Sequence, residues 1–165
     1  MSNILVSVEL TADAFAPFGD VIEARGSPTS VINGGRCGRY HDLANLDFHE
    51  SGRAGINIFQ SQPIALPFQL RLVERHPLGS QAFVPISGGD YLIVVAEDEA
   101  GVPVRLKAFH GERNQGVNYR RGIWHGVLMP IEKAALFTVV DWIGDRQNLE
   151  EFHFKEPITI TAQTS

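Results

Sequence analysis

Apolar and polar residues alternate with a period of two along much of this chain, and short turn signals interrupt the alternation. From Phe68 to His76, the residues Phe68, Leu70 and Leu72 alternate with Gln69 and Arg71, which predicts a strand with one buried face. Ala82 to Ile86 and Tyr91 to Ala96 predict two more, separated by the turn Ser87-Gly-Gly-Asp90. Val104, Leu106 and Ala108 alternate with Arg105 and Lys107 in another. Trp124 to Leu128, Leu136 to Trp142 and Ile158 to Thr161 continue the series, and Ile56 to Phe59 precedes it. Helical signals are few. Thr11 can cap a short helix through Phe15, which Pro17 and Gly19 then stop, and Asp42 to His49 has room for one more turn. Strands every ten to twelve residues with little helix predict an all-β sandwich or barrel, whose mouth is the natural place for a ligand.

Composition narrows the possibilities. At 165 residues, 44% of them hydrophobic, the chain suits one domain spanning 1–165, with no repeat or linker dividing it. A net charge of -5 with scattered Lys and Arg argues against nucleic acid. The longest apolar run, Tyr91 to Ala96, is too short to span a bilayer, and Met1 to Val6 lacks the basic start of a signal peptide. A cytoplasmic location with no membrane partner is therefore expected. The lone Cys37 leaves no disulfide and no Cys-rich zinc site.

The candidate chemistry lies in two segments. In Glu74-Arg-His-Pro-Leu-Gly-Ser-Gln81, Glu74 and His76 share the parity of Phe68, Leu70 and Leu72, which predicts that both face the core. An inward carboxylate is costly unless paired or bound to metal, so a polar pocket is expected there. The second segment, Gly116-Val-Asn-Tyr-Arg-Arg-Gly-Ile-Trp-His125, turns at Gly122 and brings in an inward His125. Glu74, His76, Gln81 and His125 together make a set of N and O donors suited to nickel, zinc or manganese. Taken singly, each has an ordinary structural explanation, and their convergence carries the case. His41 has Asp42 beside it as a possible orienting carboxylate, although from spacing alone an exposed surface loop is the favoured explanation. His49, His110 and His153 read as surface residues, and Ser80 lacks the context of a hydrolase nucleophile.

Several strings resemble the ureidoglycolate lyase family: Ala14-Phe-Ala-Pro-Phe-Gly-Asp-Val-Ile-Glu23, Arg39-Tyr-His-Asp-Leu43, Glu74 through Pro85, Gln115-Gly-Val-Asn-Tyr119, and Trp124-His125. The resemblance runs in one order from about residue 10 to residue 150. It implies an RmlC-like cupin, a double-stranded β-helix. It also implies a carbon–nitrogen lyase that splits ureidoglycolate into glyoxylate and urea in allantoin and purine breakdown. Glu74-x-His76 stands where cupins carry His-x-His, Gln81 stands where they carry Glu, and His125 supplies the last position. A nickel ion and a homodimer are further implications. Arg39, Tyr40, His41, Gln81 and Tyr119 are the implied substrate-binding residues. The chain departs from the family pattern near its end, where Trp142 follows Val140-Asp141 in place of an Arg that could meet a substrate carboxylate.

Breakdown of such a carbinol needs a base for the hydroxyl proton and an acid for the departing nitrogen. His76 or His125 is the expected base. Glu74 is the expected acid if burial raises its pKa, and Arg39, or less readily Arg75, is the expected holder of the carboxylate. The competing readings are a cupin sugar epimerase, a metal dioxygenase, or a module that only binds a small acid.

Overall fold

The computed structural model describes residues 3–162. In chain order its elements are β1 (Ile4–Glu9), α1 (Ala12–Phe15), β2 (Gly19–Ile22), β3 (Ser30–Ile32), β4 (Cys37–Arg39), β5 (Arg53–Ser61), β6 (Phe68–Arg75) and β7 (Gln81–Ser87). There follow β8 (Tyr91–Glu99), β9 (Val102–Gly111), β10 (Gly116–Tyr119), β11 (Trp124–His125), β12 (Met129–Pro130), β13 (Ala135–Ile143) and β14 (Glu150–Ala162). The all-β expectation holds. The Thr11 cap holds too, its hydroxyl accepting from the Ala14 amide at 3.2 Å. Asp42–His49 is not helical: it is irregular, with Asp42 at a φ of 55°, and touches the sheet through a bridge from Phe48 to Gly79.

Two large sheets face one another. One is five-stranded, in the order β2-β10-β7-β13-β5. The other runs β11-β6-β14-β1-β9-β8-β12, and a further pairing of β11 with β8 closes six of its strands into a barrel. Strand β8 explains how the layers stack. Its odd residues Tyr91, Ile93 and Val95 join a core with Phe83, Tyr119 and Phe137. Its even residues Leu92, Val94 and Ala96 join a second core with Leu70, Val73 and Trp124. Burial on both faces is why this strand reads as an unbroken apolar run and not as an alternation.

Strand β6 corrects the predicted parity. Leu70 and Val73, three residues apart, both pack in the second core, with Phe68 leaning on it. The alternation therefore breaks between them, where the pairing with β14 slips from Ile158↔Leu70 to His153↔Leu72. Glu74 does face inward, but on the side opposite Phe68 and Leu70. The predicted strand Trp124–Leu128 is also shortened: only Trp124–His125 pairs, and the chain loops before β12.

Candidate active site

Two-residue β11 sets the geometry. Its His125 lies opposite Glu74 of β6 and Val95 of β8, joining the strands that close the barrel. The turn before it requires Gly122, whose φ of 78° is one that side-chain-bearing residues rarely adopt. The Gly122 amide donates to the His76 carbonyl at 3.0 Å, which draws the end of β6 against the start of β11. Trp124 points into the second core, so its neighbour His125 points into the space between the sheets.

Glu74, His76 and His125 each offer a ligand atom, and these atoms lie within 4.8 Å of one another. His76 Nδ1 meets the Asn148 carbonyl at 2.6 Å and His125 Nδ1 meets the Gly126 carbonyl at 3.0 Å. A carbonyl only accepts, so each Nδ1 carries the proton and each Nε2 keeps its lone pair. Both Nε2 atoms are buried and have no hydrogen-bond partner. The nearest approach to a partner is the 3.8 Å between His76 Nε2 and Glu74 Oε1, too long for a hydrogen bond. Two buried imidazole lone pairs beside a carboxylate make a donor set that fits a borderline divalent cation.

The charge states follow from the surroundings. Burial pulls on Glu74 in the upward direction, but His76 and His125 outweigh it and hold the carboxyl below its ordinary value. Glu74 is thus ionised, which overturns the expectation that it is the acid. Burial pulls His76 down, but Glu74, the Asn148 carbonyl and Asp141 outweigh it and the net shift is upward. His125 is held down at about 4 by burial and then by His76, and so is neutral. The ring of Tyr119 stacks on His125 with centroids 4.2 Å apart and planes within 3°. Burial and nearby Glu74 push its phenol up, so it keeps its proton.

Glu74 and Tyr119 open onto a cavity of about 510 Å³ between the sheets, walled also by Phe59, Ser61, Phe83 and Leu128. None of the described residues lining it is Arg, Lys or His. Gln81 lies beside the triad on β7, its Cα opposite that of Tyr119. Its amide nitrogen donates to Asp141 at 3.3 Å, and its Oε1 is buried without a partner. Asp141 also accepts from Asn57 at 2.9 Å and is close enough to His76 to raise that imidazole's pKa. Sequence reasoning missed Asp141 and Asn57. The available signal was phase: Asp141 continues the inward series Phe137, Val139 and so is an inward carboxylate like Glu74.

The first substrate-binding trio lies elsewhere. Strands β3 and β4 form a hairpin with its own two-stranded sheet. On it, Arg39 meets His41 Nδ1 at 2.8 Å and Tyr40 donates to the Gly26 carbonyl at 2.9 Å. His41 is paired with Arg39 and not with Asp42, and none of the three lines the cavity of its own chain. Arg75 is no freer. It is held by Glu150 at 2.6 Å and Asp98 at 2.8 Å, over the ring of Trp124.

Comparison with known proteins gives the site its context. Residues 2–161 match the family described as ureidoglycolate lyase. The chain belongs to that family. A ureidoglycolate lyase of Rhodobacter capsulatus is 55% identical over 151 residues, 92% of this chain and 94% of the relative. One from Brucella anthropi is 48% identical over 92% of this chain and 90% of its own. Among solved structures, a dTDP sugar isomerase from Desulfovibrio desulfuricans G20 superposes with a TM-score of 0.46 at 19% identity, covering 84% of this chain and 81% of that one.

Within the ureidoglycolate lyase family pattern, the departure at Trp142 proves remote from the cavity. Trp142 follows inward Asp141 and so faces the outside of the five-stranded sheet. There its indole nitrogen donates to the His49 carbonyl at 3.0 Å. Gly52, Gly79 and Gly144 surround it so closely that a Cβ on any of them would fall within 2.2–2.6 Å of its side chain. The residue packs down the 48–52 loop and is not among the residues lining the cavity.

Proposed function

We propose that this cavity cleaves ureidoglycolate to glyoxylate and urea, a carbon–nitrogen elimination. The observation that carries the reading is ionised Glu74 and protonated Tyr119 on one walled space, with neutral His125 stacked on Tyr119, in a chain whose relatives bear that activity in their names. The substrate carbon bears a hydroxyl, a carboxylate and the ureido nitrogen. Glu74 takes the hydroxyl proton as the carbonyl forms and the C–N bond breaks. Tyr119, whose hydroxyl has no protein partner among the described residues, donates to the departing nitrogen. His76 fixes Glu74 from one side, and the stack on Tyr119 fixes His125. The apolar wall of Phe59, Phe83 and Leu128 excludes water from the breaking bond.

Glu74, His76 and His125 would also hold a divalent cation, nickel being the first choice, with Gln81 Oε1 as a further oxygen nearby. Such an ion supplies Lewis acidity to the hydroxyl and carboxylate oxygens. The test is a steady-state assay of the purified protein for both glyoxylate and urea, with metal analysis and a chelator control. Equal yields of the two products support the lyase. Ammonia in place of urea overturns it, and activity indifferent to complete chelation removes the cation.

A further inference from the structure

Within that lyase reading, the substrate carboxylate lacks a guanidinium or ammonium partner of the kind that fixes its orientation, since no Arg or Lys is among the described residues lining the cavity. Two arginines next to the site in the same chain are committed. Arg75 is clamped by two carboxylates, and Arg121 donates to the Pro77 carbonyl at 2.6 Å.

The complementary feature lies on the projecting hairpin. Residues 24–41 contain Arg25, Arg36 and Arg39 and no Asp or Glu, in a chain whose net charge is -5. Arg25 lies 3.6 Å from Glu23, whereas Arg36 and Arg39 pair with no carboxylate among the described residues. The hairpin's apolar Val31 and Ile32 are 60% and 40% exposed. Its two strands pair only with each other.

The place where such an arm fits is continuous with the cavity. Strand β5 is the edge of the five-stranded sheet, and it contributes Phe59, Gln60 and Ser61 to the cavity wall. On its outward face, Ile56 and Ile58 are 76% and 59% exposed, beside exposed Val84 and Ile86 on the same sheet. An open edge with an apolar face calls for a cover, and anything covering β5 stands at the cavity mouth. A basic, apolar-tipped arm and a cavity whose one charged lining residue is the carboxylate Glu74, bordered by an apolar edge, complement each other across a two-fold axis, which uses each surface twice.

We propose that the β3–β4 arm of a second copy of this chain covers the β5 edge and brings its Arg39 to the substrate carboxylate, so that each active site is built from two protomers. Bidentate guanidinium–carboxylate pairing orients the carbinol carbon between Glu74 and Tyr119.

Subunit mixing tests this. Arg39→Ala and Glu74→Gln are made separately, each expected to lose about 100-fold or more in kcat/KM through lost orientation or proton transfer. The two are co-expressed with different tags and the hybrid is isolated by tandem purification. One of its two sites combines an intact Glu74 with the partner's intact Arg39, so the hybrid is expected to recover about half of the wild-type kcat. A hybrid as inactive as its parents overturns the proposal, because the arginine then acts within its own chain. Full activity of Arg39→Ala overturns it as well, as does a wild-type protein that light scattering shows to be monomeric at assay concentrations. Wild-type protein that releases no glyoxylate sinks the lyase reading itself, an outcome distinct from an active wild type without hybrid recovery.

Discussion

The surroundings of His125 and the β3–β4 arm both carry side chains capable of chemistry, but the molecule treats them in opposite ways. His125 is fixed on every side: its Nδ1 by the Gly126 carbonyl, its ring by Tyr119, and its backbone by pairing with both β6 and β8. The side chains of Arg39 and His41 are exposed and are hydrogen-bonded only to each other among the described residues. The first region is preorganised, so its groups need no rearrangement at the moment of reaction. The second keeps its guanidinium solvated until something comes to meet it. In the proposed mechanism, proton transfer and charge recognition thus fall to parts of the fold with different freedom.

The sharpest way to break this contrast is to remove the fixed imidazole. His125→Ala is expected to lower kcat by about 10³-fold or more, roughly 4 kcal/mol of transition-state stabilisation, with the far-ultraviolet circular dichroism unchanged. A variant retaining more than a tenth of wild-type turnover would show that the rigid region is merely packing.

A smaller effect is expected at Trp142, which is as firmly packed as His125 but lies outside the cavity. Trp142→Ala should cost about 3 kcal/mol of stability in denaturant unfolding while leaving kcat/KM within about twofold, since the lost indole only supports the 48–52 loop. A large fall in kcat/KM with unchanged stability would mean that position 142 does reach the substrate.

Most of this arrangement was legible from the residues, and the failures have physical causes. Alternation found β6, β7 and β13 because each has residues in phase with a core, and turn residues separated them. The convergence of Glu74, His76 and His125 was also legible, since inward polar groups at strand ends need one another. The parity that placed Glu74 was nevertheless mistaken, because a slip against β14 between Leu70 and Leu72 depends on a partner strand some eighty residues away. The irregular course of Asp42–His49 is tied down by Phe48 bridging to Gly79, and nothing local encodes it. Asp141 and Asn57 were missed because each reads as an ordinary polar residue until both are placed across the β5–β13 pair. The basic stretch at 24–41 stands in the sequence, but its hairpin pairing, with Val31 and Ile32 exposed, needed the structure.

The gentlest probe of the contrast is pH, because the two fixed imidazoles are pushed in opposite directions. His76 is raised: Glu74, the Asn148 carbonyl and Asp141 overcome the burial that would lower it. His125 is lowered to about 4 by burial and by His76. A cation held by both Nε2 atoms requires both to be unprotonated. As pH falls through the raised value of His76, a single proton competes, and affinity for Ni²⁺ should drop about tenfold per unit. His125 already lacks its second proton throughout that interval and adds nothing until the pH approaches 4, while Glu74, held low, stays ionised. Equilibrium dialysis with Ni²⁺ between pH 5 and 8 should therefore show a slope of about one proton on the acid side and a plateau on the alkaline side. A slope near two would mean that His125 titrates with His76, so that the stack on Tyr119 does not hold it in an apolar setting. A flat profile would mean that His76 is no ligand, leaving its orphaned Nε2 to be explained by the substrate alone.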